Sequence, residues 1–155
     1  MTAIKDTASV LGSPPMVLLA LLAGGGLLQL LIPVDLFPDS FPNVIGLPLI
    51  VLAIALFMLS VREFSHEGTP VRGSEPASVV VASGPYRFSR NPIYLSMLLL
   101  EAGIALMANS AWIMVAIPLM FAYLSLGVIA REEIYLTRRF GEEYLHYKAS
   151  VRRWI

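Results

Sequence analysis

The chain has 155 residues, 57% of them hydrophobic and 14% charged, and its formal net charge is zero. A mean hydropathy of +0.73, concentrated in long apolar blocks, makes lipid the expected solvent and excludes an ordinary soluble domain. Balanced charge without a basic stripe argues against a nucleic-acid partner. The absence of cysteine excludes disulfides, thiolate catalysis and cysteine-ligated zinc, and His66 and His146 lie too far apart in sequence to support a metal site.

Four apolar blocks, at about 16–34, 44–61, 93–108 and 111–130, approach the roughly 20 residues that a bilayer-spanning helix needs. They are continuous and not alternating, so helices are expected and a barrel is not. The first block runs into Pro33-Val34-Asp35-Leu36-Phe37-Pro38 with no small-residue cleavage site, and reads as a retained helix. The expected fold is all-α: one polytopic membrane domain over 1–155, with four transmembrane helices, a loop at 62–92 and a C-terminal helical segment at 131–155. Gly24-Gly25-Gly26 suits close helix approach or a weak point. Pro48 falls in the first turns of the second span, and Pro118 is expected to kink the fourth. Glu101 lies inside the third span, where a charged carboxylate costs about 2.5–3.5 kcal/mol. It therefore needs a partner, a wet cavity or a proton, and a substrate cavity or a packing role are both open.

Lys5 precedes the first span, Arg62, Arg72, Arg87 and Arg90 lie between the second and third, and the remaining six basic residues follow the fourth. The stretches around 35–43 and 109–110 carry no lysine or arginine. The positive-inside rule puts both termini and the long loop in the cytoplasm. A bacterial inner membrane is the expected location.

Gly68, Pro70, Gly73 and Pro76 mark the middle of the long loop as irregular, and Val79-Val80-Val81 fits a short extended piece. Gly84-Pro85 makes a turn, and Asn91-Pro92 reads as N-cap and first residue of the third helix. That terminus, with Arg87 and Arg90 beside it, suits a carboxylate or phosphate, although arginines here also serve as topology signals. The fourth helix continues through Arg131-Glu132-Glu133 to about Phe140. Gly141 breaks it, and Glu142 and Glu143 open a short helix whose Phe140, Tyr144, Tyr147 and Val151 form an apolar face. The Glu132-Glu133 pair fits a solvated face or the polar groups of a cofactor, and position alone leaves both open.

The order Gly84-Pro85-Tyr86-Arg87, Arg90-Asn91-Pro92-x-Tyr94, helical hairpin, Glu132-Glu133, Phe140-Gly141-Glu142-x-Tyr144-x-x-Tyr147 and Val151-Arg152-Arg153-Trp154 resembles the isoprenylcysteine carboxyl methyltransferase family and its relatives, the phospholipid N-methyltransferases. Gly68-Thr69-Pro70 is similar to the bacterial members. The resemblance covers roughly residue 68 to the C-terminus, and the first two spans match only as anchors. It implies a cytosol-facing S-adenosylmethionine pocket lined by Tyr86, Arg90, Asn91, Pro92, Tyr94, Glu132, Glu133 and Tyr144. One departure is Asn91, where eukaryotic members often carry histidine, so a histidine base at that position is excluded.

Methyl transfer from a sulfonium is an in-line displacement, which asks the protein chiefly to align two reactants and exclude water. A carboxylate acceptor needs no base; an amine acceptor must lose a proton, for which Glu101 and His66 are the unusual candidates. Arg87 and Arg90 are assigned to anion orientation and, with Glu101, to catalysis. The expected acceptor is a lipophilic or lipid-linked molecule arriving from the bilayer. Phospholipid amine N-methylation is the alternative to isoprenylcysteine-like O-methylation. A non-catalytic scaffold or ligand-binding protein is a further class, and a nicotinamide-dependent reductase would need many more spans.

Overall fold

The structure is a computed structural model and describes residues 12–38, 42–68 and 77–155. Lys5, Thr69, Pro70, Arg72, Gly73 and Pro76, to which the sequence assigned topology or loop roles, lie outside the described residues. All regular structure among the described residues is helical: α1 Pro14–Leu31, α2 Pro42–His66, a 3₁₀ turn Gly84–Arg87, α3 Pro92–Met107, α4 Ala111–Ala122, a π-helical segment Tyr123–Ile129, α5 Ala130–Phe140 and α6 Glu142–Ser150. The short extended piece expected at Val79-Val80-Val81 does not form.

Among the described residues, three helices are long and apolar enough to cross a membrane: Pro14–Leu31, Val44–His66 and the run Ala111–Phe140 formed by α4, the π segment and α5. The third predicted span is the shorter apolar helix α3, whose 16 residues reach only about 24 Å. That falls short of a hydrocarbon core of about 30 Å. Large apolar side chains point outward all along α1, α2 and α4, among them Leu30 at 82% exposure and Val44 at 72%. Water would not tolerate so much contiguous apolar surface, whereas acyl chains would.

Glycines set how closely the helices approach. α2 and α3 run antiparallel and meet where Gly46 faces Gly103. A methyl group on Gly103 would stand 2.7 Å from Ile50 Cγ1 and 2.9 Å from the Gly46 carbonyl, and one on Gly46 2.6 Å from Met107 Cγ. Of the three consecutive glycines in α1, Gly25 is the contact residue, packed against Ile113 of α4, while Gly24 and Gly26 face open space. Met97, Met120, Leu124, Val128, Ile129 and Leu18 form the buried core between α1, α3 and the long third span.

One end of the bundle is closed by polar contacts. Asp35 bridges to Ser110, Trp112 Nε1 donates to the Ile32 carbonyl at 2.8 Å, and Asn109 exchanges hydrogen bonds with the backbone of Phe37. The 32–38 connection and the α3–α4 turn therefore lie at one end. The start of α1 near Tyr123, the end of α2, the start of α3 and α5–α6 gather at the other.

Candidate functional site

The charged end is organised by the entry into α3. Gly84 opens the 3₁₀ turn at φ +53°, and a Cβ there would lie 2.8 Å from Glu63, so only glycine fits the turn against α2. Glu63 in turn accepts a 2.6 Å hydrogen bond from Ser83 Oγ. Tyr86 is thereby buried, edge-on to Phe64, and its carbonyl accepts the Tyr147 hydroxyl of α6 at 2.8 Å. Burial pushes the phenols of Tyr86 and Tyr147 well above their ordinary range, so both stay neutral donors.

Asn91 is the N-cap residue of α3, as expected, but its side chain makes no capping bond. Its carbonyl accepts the first helical bond from Leu95, while its Nδ2 donates to the Arg153 carbonyl at 2.9 Å, which fixes the side-chain amide toward the returning segment. Pro92 is buried at the first helical position, as expected. One turn on, the Tyr94 hydroxyl donates to Glu132 Oε1 at 2.6 Å.

Glu133, next along α5, is buried and surrounded by cations: Arg90 Nη1 at 3.1 Å, Lys148 Nζ at 3.4 Å and Arg153 Nη2 at 2.7 Å. Arg153 binds it through both Nε and Nη2, and that bond raises the arginine's own pKa. The guanidinium of Arg90 is itself 91% buried, its side chain being 9% exposed. Among the described residues its Nε and Nη1 have no hydrogen-bond partner of proper geometry. Tyr144, buried beside it, is raised first by burial and then by Glu133, while Arg90 opposes the shift.

The structure thus brings Tyr86, Arg90, Asn91, Pro92, Tyr94, Glu132, Glu133 and Tyr144 to one end of the bundle. Arg87, by contrast, is exposed at the end of the 3₁₀ turn. Glu101 lies on the same face of α3 as Tyr94 but two turns deeper, about 10 Å along the axis. It is fully buried, and neither of its oxygens has a partner among the described residues. His66 is exposed at the end of α2. The sequence reading used Lys148 and Arg153 only as basic residues that set orientation, and Arg153 also as part of the closing Val-Arg-Arg-Trp run; it gave neither a place in the site.

A π segment of seven residues separates α4, which contains Pro118, from α5, which carries the two glutamates. Its wider turns shift the register of the side chains that follow. Leu124 and the consecutive Gly127, Val128 and Ile129 are all buried there, more than one face of a regular α-helix would bury.

Residues 42–143 match the family model of the phospholipid methyltransferases. The chain belongs to the phospholipid methyltransferase family. This is a family of membrane methyltransferases, and the matched range runs from α2 to the first turn of α6, so it includes the α3 entry and the Glu132-Glu133 pair. An uncharacterized protein of Haemophilus influenzae is 36% identical over 63 residues, which are 41% of this chain and 100% of that protein. No solved structure matches this phospholipid methyltransferase family member.

Proposed function

We propose that the protein is an S-adenosylmethionine-dependent methyltransferase acting on a lipophilic acceptor at the cytoplasmic face of the membrane. The observation that carries this reading is Arg90: a buried guanidinium just before a helix N-terminus, ion-paired with Glu133 and keeping an Nε donor with no hydrogen-bond partner among the described residues. Such a group suits the carboxylate of an amino-acid-like ligand. Glu132, held by a neutral phenol, suits hydroxyl or ammonium groups of the same ligand. Tyr86, Pro92, Tyr94 and Tyr144 supply the apolar walls that exclude water.

When bound, S-adenosylmethionine supplies a methyl group on a positively charged sulfur. The chain's own work is to orient the acceptor in line and keep solvent away. A lipid acceptor would reach the α3 entry laterally from the bilayer.

Two specific observations favour an amine-bearing phospholipid over an isoprenylcysteine carboxylate. The family is that of phospholipid methyltransferases, and Glu101 is a buried carboxyl group below the site. A carboxyl group there could accept the proton that an ammonium headgroup must lose before methylation, whereas a carboxylate acceptor needs no base. The exposed His66 lies away from the Arg90 cluster and is left without a role.

Calorimetric titration of the detergent-solubilised chain with S-adenosylmethionine, its demethylated product and NADPH tests the reading. Saturable binding of both sulfur compounds but not NADPH is expected. No binding by folded protein would overturn it in favour of a scaffold.

A further inference from the structure

The last five residues return across the start of α3. The Arg90 amide donates to the Arg152 carbonyl at 3.0 Å, Asn91 Nδ2 to the Arg153 carbonyl at 2.9 Å and Ser89 Oγ to the same carbonyl at 3.4 Å. The Arg153 side chain forks onto both oxygens of Glu133, at 2.9 and 2.7 Å. Beyond it, the Trp154 ring stacks on Phe121 of α4 with centroids 5.0 Å apart. Main-chain bonds, a bidentate ion pair and an aromatic anchor therefore fasten one short segment to the α3 entry, to α5 and to α4. All of it lies outside the residues that match the family.

The two adjacent glutamates have different surroundings. Glu132 meets the Tyr94 phenol, whereas Glu133 has three cationic side chains within 3.4 Å. A carboxylate has about four acceptor positions, and those of Glu133 are taken up by the protein itself. We propose that Glu133 and Arg153 are positioning residues: their ion pair locks residues 151–155 as a strap across the entry of the site, and the strap must lift for the cofactor to exchange. This rests on the reading that the site takes S-adenosylmethionine.

Lifting the strap would free the Asn91 amide and uncover the face of Arg90 while leaving α3 and α5 in place. The fork geometry of an arginine–carboxylate pair sets the closed position, and its non-covalent nature lets so short a segment open without unfolding the bundle. A lysine in place of Arg153 keeps the charge but not the fork, so it should hold the strap only in part.

Arg152 and Arg153 are themselves trypsin sites, so cleavage after either of them, told apart from cleavage after the exposed Lys148, reports strap opening. The variants are Glu133→Gln, Arg153→Lys and Trp154→Ala, the last removing the aromatic anchor and sparing the ion cluster. Tail cleavage, identified by mass spectrometry, and the dissociation rate of S-adenosylmethionine would be measured on each. Glu133→Gln is expected to raise both by about tenfold or more, with Arg153→Lys and Trp154→Ala intermediate and the two rates rising together. Faster tail release with unchanged dissociation would overturn the exchange role. Lost affinity with unchanged tail release would show Glu133 to be a direct ligand, and so would overturn its positioning role. Should Glu133→Gln not fold, Trp154→Ala decides the same question. If the wild-type chain binds no S-adenosylmethionine, the cofactor reading fails by itself, and the tail-release rates still decide whether Glu133 holds the strap.

Discussion

Glu132 and Glu133 are neighbours in sequence, yet Glu132 meets the Tyr94 phenol while Glu133 is held by three cations. Glu132→Gln keeps the bond from Tyr94 possible but removes the charge, and is expected to weaken S-adenosylmethionine binding by about tenfold in a calorimetric titration. Unchanged affinity would remove it from the site. Arg90 and Arg87 differ in the same way. Arg87→Ala should leave turnover within about twofold, as for an exposed residue, whereas Arg90→Ala should abolish measurable turnover. The buried phenols give a pH test. Their pKa values are raised on folding, so the stability they contribute is complete below the ordinary phenol value of about 10 and erodes as the pH climbs past it. A spectrophotometric titration should show Tyr86 and Tyr147 ionising only as the protein unfolds; ionisation in the folded chain at the ordinary phenol pKa would contradict their burial. Sequence alone placed Asn91 at the cap of α3 and gave Arg87 and Arg90 the same role, because local rules are blind to the Arg153 carbonyl that holds the Asn91 amide and to the burial that separates the two arginines.

At the scale of elements, the helices were legible because their apolar runs are long and their stops are strong: proline at the start of α1 and α3, and Gly141 at φ +55° between α5 and α6. The glycines were only partly legible. Gly103→Ala drives a methyl group into Ile50 and the Gly46 backbone, and should cost about 1–3 kcal/mol, read as a lowered unfolding temperature in detergent. Gly24→Ala meets nothing within 4 Å and should be neutral or stabilising by up to about 1 kcal/mol. Equal effects of the two substitutions would mean that α2 and α3 do not cross at Gly46. The π segment left no periodic signal in the sequence, because its residues are apolar on every side, and only the burial of three consecutive positions reveals it.

For the whole molecule, the polar contacts joining Asp35, Phe37, Trp112 and Asn109 put the lysine- and arginine-free connections at one end, and the basic clusters gather at the other. The expected orientation has the basic end in the cytoplasm. Because the chain has no cysteine, a single cysteine at Phe37 or Glu142 reports the side without interference. In intact cells an impermeant thiol reagent should label Phe37→Cys and spare Glu142→Cys; the opposite pattern would invert the topology and move the site to the outer face.

The sequence by itself determined the solvent, the helical class, the grouping of basic residues and the ordered motifs at the α3 entry and after the fourth block. These follow from composition and from spacing along one chain, which need no partner to be read. Only the tertiary structure decided that α3 is a short helix packed on glycines, that Glu101 is buried without a partner, and that Glu133 belongs to Arg153 and the returning tail. Each of those depends on groups far apart in sequence, 20 residues in the case of Glu133 and Arg153 and 62 in that of Asn91 and Arg153. No local pattern records such a distance, and it is set only when the helices pack.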